Sequence, residues 1–296
     1  MPAIRHRAAA AVAASQTSVD PIREFAFSDT DFQTLTRLAY EYAGISLAES
    51  KQNLIYSRLS RRLRALRLES FRHYCEYLTA NASEVENFIN SISTNHTKFF
   101  REAHHFDHFR THVAAPFAQG AARKSGQRLR IWSAGCSSGE EPYTIAVVLR
   151  REIRDFASHN VRILATDIDT DILTKAAQGE FAAAAMDESP SQYHPCFQPM
   201  NEGTAAKVTV DEDVQSLIVF RRLNLMEDWP FQGLFDAIFC RNVMIYFDTP
   251  TKMHLVDRFK KQLKPGGWLY IGHSESLVGS HPGLELVGRT TYRRIQ

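Results

Sequence analysis

The feature that most constrains this chain is a change of periodicity near residue 95. From Ser28 to Asn95 apolar residues recur at helical spacing, the only glycine is Gly44, and no proline intervenes. Beyond it, short apolar runs rich in β-branched residues alternate with helical ones. A wholly helical stretch can bury its stripes only in a bundle. Alternating strands and helices close into a parallel sheet covered by helices on both faces. The sequence therefore specifies two units: a small all-α domain over 28–97, and a doubly wound, Rossmann-like α/β domain over 98–296.

In the first unit Ser28, Thr30 and Asp31 are N-cap candidates, followed by Phe32, Leu35, Leu38 and Ala39 at helical spacing. A second helix is predicted from Glu49 to Leu66, with Leu54, Ile55, Leu59, Leu63 and Leu66 on one side, and two more over 70–79 and 83–93. In the second unit, strands are predicted over 129–132, 161–165, 236–240 and 268–272. Helices are predicted from Glu140, over 170–177 and over 250–263, the last with Thr249 as N-cap and Pro250 in first position. Lys264-Pro265-Gly266-Gly267 reads as its stop signal. Over 190–223 the alternation fails. Lys207–Val210 and Leu217–Arg222 read as strands without a helix of crossover length between them, predicting a small antiparallel insertion.

Residues 1–27 predict a disordered tail. Arg5 and Arg7 precede an alanine-rich stretch, but it is too short, and too poor in Leu and Phe, for a secretory signal. No apolar run approaches the roughly 18–20 residues that span a bilayer, so direct membrane insertion is not expected. The four cysteines, Cys75, Cys136, Cys196 and Cys240, form no C-x-x-C pair. That leaves no basis for a zinc or redox site and points to a reducing, cytoplasmic setting. Cys75, Cys136 and Cys240 read as small buried hydrophobes. His104, His105 and His108 have a spacing that could suit a metal, but lacking an acidic or thiol partner they read as an amphipathic helix surface. No metal is expected.

Ligands of open parallel sheets sit beyond the carboxyl ends of the strands. The turn Gly135-Cys136-Ser137-Ser138-Gly139 is predicted to lie there, and three readings compete for it. A dinucleotide fingerprint needs glycine where Ser137 stands, and Glu140 and Glu141 at the following helix start would repel a pyrophosphate. The turn also fits G-x-S-x-G, the nucleophile elbow, but the chain upstream is helical and offers no HGGG-type oxyanion donor. The third reading is S-adenosylmethionine, a cationic ligand without phosphate. Glu140 or Glu141 could complement its charge, and Asp167 at the end of the second strand its ribose diol. Asp169 or Thr170 would cap the next helix, leaving Asp167 free.

Several motifs occur in order: Ser93-Thr94-Asn95-His96-Thr97-Lys98-Phe99-Phe100-Arg101-Glu102, Trp132 to Tyr143, Ala165-Thr166-Asp167-Ile168-Asp169, Asn224-Leu225, Ile238 to Phe247, and Leu263-Lys264-Pro265-Gly266-Gly267 to His273-Ser274-Glu275-Ser276. In these the chain resembles the chemotaxis receptor methyltransferases, the CheR family, from about residue 28 onward. The resemblance implies transfer of a methyl group from S-adenosylmethionine to the γ-carboxylate of receptor glutamates, leaving S-adenosylhomocysteine. It implies that Asn95, Thr97 and Arg101 line the cofactor pocket from the interdomain segment. Glu141 would meet the cofactor's polar groups, Asp167 its ribose, Asn224 and Leu225 its adenine side, and Arg241 and Asn242 its amino-acid end. Tyr246 and Arg101 would stand nearest the transferred methyl, as the catalytic pair. Phe99, Phe100 and Phe247 read as core. The alternative is a non-catalytic receptor-binding protein on the same scaffold.

The net charge of +2 conceals a local excess, since Lys51 to Cys75 holds seven basic residues and one acidic one, Glu69. Arg58, Arg61, Arg62 and Arg64 are predicted to face water, away from the leucine stripe. Such a face is ordinarily only solvated, and no aromatic interleaving suggests nucleic acid. The resemblance implies that Lys51, Arg58, Arg61 and Arg64 dock the acidic coiled coil of a chemoreceptor. Relatives that tether to a receptor pentapeptide use a glycine-rich loop. The matching Phe197–Thr204 contains Gly203 alone, so no tether is expected. A monomer is expected.

Overall fold

The computed structural model describes residues 23–121, 126–153, 159–200, 206–275, 277 and 281–295. Residues 1–22 of the expected tail, and Asn201–Thr204 of the expected tether loop, lie outside them.

Ser28 opens α1 (Asp29–Ala43): its hydroxyl accepts from the Asp31 N–H, and Asp31 accepts from the Ser28 N–H. This reciprocal capping box satisfies two of the helix's free donors. A single 3-10 turn, Glu49–Lys51, leads into α2 (Gln52–Leu66), and α3 (Phe71–Ala80) and α4 (Ala82–Ile92) complete the bundle. Its core is Leu35, Leu38, Ile55, Leu59, Leu63, Phe71, Tyr74, Leu78 and Phe88. Leu54 departs from the expected stripe; it is 41% exposed and belongs to the cleft described below. The expected tail also ends too late. Phe25 is buried, and the Phe27 ring lies 4.3 Å from that of Phe71, so residues 23–27 close one side of the bundle.

The second unit begins with α5 (His104–Phe109), runs through one π-helical turn at Arg110–Ala114, and continues as α6 (Ala115–Ala121). Then come β1 (Arg128–Ala134), α7 (Glu140–Glu152), β2 (Asn160–Asp167) and α8 (Thr170–Gln178). Three short strands follow: β3 (Glu180–Ala182), β4 (Phe197–Met200) and β5 (Lys207–Val210). After one turn, α9 (Glu212–Gln215), the chain forms β6 (Ile218–Arg222), β7 (Phe235–Cys240), α10 (Thr249–Gln262), β8 (Leu263–Ile271), β9 (Leu284–Gly288) and β10 (Thr291–Arg294).

The main sheet has seven strands in the order β6-β2-β1-β7-β8-β10-β9. The first five are parallel, with Ile131 opposite both Ile163 and Ala237; β10 and β9 are antiparallel. Strands covered on both faces read as continuous apolar runs, and one core lies on each side of β1 and β7.

Three expectations need correction. Leu217–Arg222 is not part of the insertion, because β6 is a parallel edge strand of the main sheet, with Ile218 opposite Ile163. The small antiparallel sheet is β3-β5-β4 and starts at Glu180. The crossover from β2 to β6 therefore contains the whole insertion between α8 and α9. Helix α10 is capped by Asp248, whose Oδ1 accepts from the Thr251 N–H at 2.9 Å, so Pro250 lies one position further in. The histidines form no surface stripe. His105 is fully buried with Nε2 3.1 Å from the Arg289 carbonyl, and His108 Nδ1 is 3.0 Å from the Tyr270 hydroxyl. The sheet face carrying Tyr270 and Trp268 needs a cover, and α5 supplies it. Burial pushes His105 down to about 3 and His108 to about 4, so both are neutral. Among the described residues no three His, Cys, Asp or Glu side chains are placed to hold a metal. None of the helices there is long and apolar enough to cross a membrane.

The two units meet through the loop after α1. The Ser46 N–H donates to the Tyr246 carbonyl at 2.8 Å, and Asn224 Nδ2 to the Tyr42 carbonyl at 2.7 Å. A second contact joins Asn90 Nδ2 to Thr170 Oγ1 at 3.0 Å.

Candidate active site

The carboxyl ends of β1, β2 and β7 open into a cleft whose far wall is the loop after α1 and the segment after α4. It spans about 1220 Å³ of space between atoms, part of it open solvent. Asn95, Thr97, Arg101, Glu141, Asp167, Asn224, Leu225, Arg241, Asn242, Tyr246 and Lys51 all line it; Arg58, Arg61 and Arg64 do not.

After β1 the chain must turn sharply beside β7. Gly135 makes this possible at φ +80°; a Cβ there would lie 2.2 Å from Val243 Cγ2. The turn delivers α7 with Glu141 buried at its start. Ser133 Oγ donates to Glu141 Oε1 at 2.7 Å and Arg241 Nη1 to Oε2 at 3.0 Å. Burial pushes the Glu141 carboxyl above the usual range, while Arg241 and Ser133 pull it back. Arg241 is held from its other side by Glu102 Oε2 at 3.3 Å and by the Arg101 carbonyl. The result is a buried Glu102–Arg241–Glu141 row.

At the end of β2, Asp167 accepts from the Ser137 N–H at 2.8 Å and the Asp169 N–H at 3.0 Å. Burial raises it too. Asp169 caps α8, accepting from the Asp171 and Ile172 N–H groups, and also takes Asn95 Nδ2 at 2.7 Å. Asp167 is thus free of capping duty. Asn224 lines the cleft, but its side chain is committed to the Tyr42 carbonyl, Glu227 and the Met226 N–H, an Asx turn that seats buried Leu225 on the wall. Arg101 lies at the mouth with Nη1 on the His96 carbonyl at 2.7 Å. Tyr246 is half-buried there, with Lys51 Nζ 5.7 Å from its ring centroid.

The basic face of α2 is less open than expected. Arg58 Nη1 donates to the Ile92 and Ser93 carbonyls at 2.7 and 2.8 Å. Arg62 forms a two-pronged pair with buried Glu84, and Arg64 pairs with Glu24 at 2.5 Å. Arg61 is exposed.

Two carboxylates of the site carried no assigned role in the motifs, Glu102 and Glu275. Glu102 comes from the segment before α5 and Glu275 from the turn after β8, so only the tertiary fold brings each to Arg241 and Asn242. The apolar wall of Ala43, Ile45 and Leu47 belongs to a loop without a motif.

Ser137 Oγ and Arg241 Nε are buried without a partner. Buried polar atoms of native proteins are normally satisfied, so the wall is built for a polar ligand. Among the described residues Ser137 Oγ has no histidine partner of the kind a nucleophile elbow uses. S-adenosylmethionine fits this donor set, with acidic groups for a cation, acceptors at the second strand for a diol, and no phosphate cradle. Fold and cleft together define an S-adenosylmethionine-dependent methyltransferase. Within that class the chain belongs to the CheR family: the family's CheR methyltransferase all-alpha domain matches residues 30–93, and its SAM binding domain matches residues 95–293. The "probable chemotaxis protein methyltransferase" of Rhizobium etli is 45% identical over 260 residues, 86% of this chain and 96% of that one. "Chemotaxis protein methyltransferase 2" of Pseudomonas aeruginosa is 44% identical over 275 residues, 91% and 95% of the two chains. Among solved structures, the N-methyltransferase NodS of Bradyrhizobium japonicum in complex with S-adenosyl-L-homocysteine is 15% identical, covering 59% of this chain and 62% of that one at a TM-score of 0.32.

Proposed function

We propose that this protein methylates the γ-carboxylate of glutamates on chemoreceptor cytoplasmic helices, forming methyl esters that adapt chemosensory signalling, and that it does so in the cytoplasm. One observation carries the reading: Arg101, Tyr246 and Lys51, none of them buried, line the same cleft as the buried acids Glu141 and Asp167. A cationic donor is held inside, and the acceptor entering from outside meets cationic and hydroxyl groups. The names of the relatives, chemotaxis protein methyltransferases, support the same pathway.

When bound, S-adenosylmethionine supplies a methyl group on a sulfonium that departs as a neutral thioether. A glutamate acceptor is ionised at neutral pH, with an ordinary pKa of about 4.3, so the residues need supply no general base. Asp167 would accept from the ribose hydroxyls, and the Glu102–Arg241–Glu141 row would orient the amino-acid end. Tyr246 donates its hydroxyl to one acceptor oxygen, fixing the line of attack, while Arg101 attracts the carboxylate to the mouth. The opposite charges of donor and acceptor cancel along the reaction, so closing the cleft to water favours the transition state. Positioning supplies the remainder of the rate gain.

The test is transfer of radiolabelled methyl groups to receptor-bearing membranes. The expected product releases methanol in alkali, as esters do and N-methyl groups do not. Label that survives alkali, or no label on any receptor, would overturn the assignment.

A further inference from the structure

Glu275 is a buried carboxylate with no ion-pair partner among the described residues. It follows β8, in a turn closed by its own N–H on the Gly272 carbonyl at 2.9 Å. Its side chain crosses to the neighbouring strand end. Oε2 accepts from the Gly272 N–H at 2.6 Å and the Asn242 N–H at 2.8 Å, and Oε1 from the Ile245 N–H at 3.0 Å. The side chain is 5% exposed and does not line the cleft. An isolated buried anion is ordinarily strongly disfavoured; here main-chain N–H dipoles replace water around it. Burial raises its pKa, and the N–H groups of Gly272, Asn242, Met244 and Ile245 counter that rise.

Two further observations single out this cradle. Asn242, whose N–H is captured, stands at φ +59°, a left-handed conformation that asparagine tolerates better than most residues and that this turn uses. Gly272 must lack a side chain, since a Cβ there would lie 2.6 Å from Glu275 Oε2 and 2.8 Å from the Asn242 nitrogen. The segment so captured, Asn242 to Ile245, leads directly into Tyr246, whose N–H closes the turn on the Val243 carbonyl at 3.2 Å.

We propose that Glu275 is a positioning residue for methyl transfer: its carboxylate, by accepting main-chain N–H groups on both oxygens, fixes the Asn242–Ile245 turn and so sets where Tyr246 stands at the cleft mouth. This deepens the methyltransferase reading and rests on it. The chemistry demands an acceptor on both oxygens. Glutamine has the same shape but turns one acceptor into an NH2 donor, which would face a captured N–H.

Glu275→Gln is therefore expected to lower kcat on the order of 10- to 100-fold, as expected for a misplaced reacting group, with S-adenosylhomocysteine affinity by calorimetry within about threefold of wild type. The affinity is retained because Glu141, Asp167 and Arg241 have their own supports. Gly272→Ala, which pushes the carboxylate off its seat, is expected to show the same split. In a Tyr246→Phe background, Glu275→Gln should add less than about threefold, since two residues acting through one hydroxyl are not additive. A merely structural glutamate would lower the melting temperature yet leave kcat per folded molecule unchanged, or would multiply fully with Tyr246→Phe; either result overturns the proposal. Should the variants not fold, wild-type amide exchange still decides. The Asn242 and Ile245 amides must exchange at least about tenfold slower than exposed turn amides, and fast exchange refutes the cradle. Wild-type enzyme without activity on receptors would instead indict the substrate assignment.

Discussion

Tyr246 and the two buried acids of the cleft do different work, and each can be isolated. Tyr246→Phe is expected to keep S-adenosylhomocysteine affinity while single-turnover methyl transfer falls on the order of 10- to 100-fold, because only the acceptor's alignment is lost. Equal turnover would strip the hydroxyl of its role. Glu141 and Asp167 are both raised by burial. A cationic ligand stabilises their ionised forms, so binding must expel protons wherever the free carboxyls still hold them. Affinity for S-adenosylmethionine is therefore expected to weaken as pH falls, and, because both groups are raised, to begin weakening above the ordinary carboxylate range. The decline should be shallower for S-adenosylhomocysteine, which lacks the sulfonium. Calorimetry in two buffers of different ionisation enthalpy measures the protons released. The motif residues that line the cleft were legible because their runs sit at carboxyl ends of strands or, for Asn95, Thr97 and Arg101, in the segment joining the two units. Their partners were not. Glu102 reaches Arg241 from the segment before α5 and Glu275 reaches Asn242 from the neighbouring strand end, and both approaches are properties of the whole fold.

At the scale of elements, α2 shows how a charged helix divides its labour. Arg62 neutralises Glu84, which is 3% exposed and also accepts from the Tyr74 hydroxyl. Arg62→Ala leaves that carboxylate buried and is expected to destabilise the chain by about 3–5 kcal/mol, the range for breaking a buried pair. Arg61→Ala should leave the melting temperature unchanged, since the side chain is exposed. If α2 docks the receptor, Arg61→Ala should instead slow methylation, and the wild-type rate should itself decline with salt. A salt-independent rate would remove α2 from docking. Periodicity revealed that α2 is amphipathic. It could not show that Arg58 ties down the end of α4 or that Arg64 meets Glu24, because neither contact follows from helical spacing. The same limit misplaced β6. Its apolar run is as short as that of β5, and only long-range pairing assigns one to the main sheet and the other to the insertion.

For the whole molecule, the decisive region is the joint between the units. Gly44 ends α1 at φ +69°, with its N–H on the Tyr40 carbonyl at 2.8 Å, and an added Cβ would lie 2.6 Å from Met226 Sδ. Gly44→Ala imposes left-handed strain of roughly 1–2 kcal/mol and crowds the residue beside Leu225. It is expected to lower both the melting temperature and cofactor affinity, read by thermal unfolding and calorimetry. Unaltered affinity would mean that the joint and the cofactor wall move independently.

The bond from the Ser46 N–H to the Tyr246 carbonyl runs main chain to main chain, so it asks nothing of the side chains at either position. It asks only that the loop after α1 keep its path. In a chimaera the helical unit must keep that path together with Gly44 and the cleft-lining Ile45, Leu47 and Lys51, and a one-residue insertion in the loop would unseat the cleft. Outer faces of the bundle that touch neither the joint nor the cleft are free to vary while the cleft beneath them stays constant.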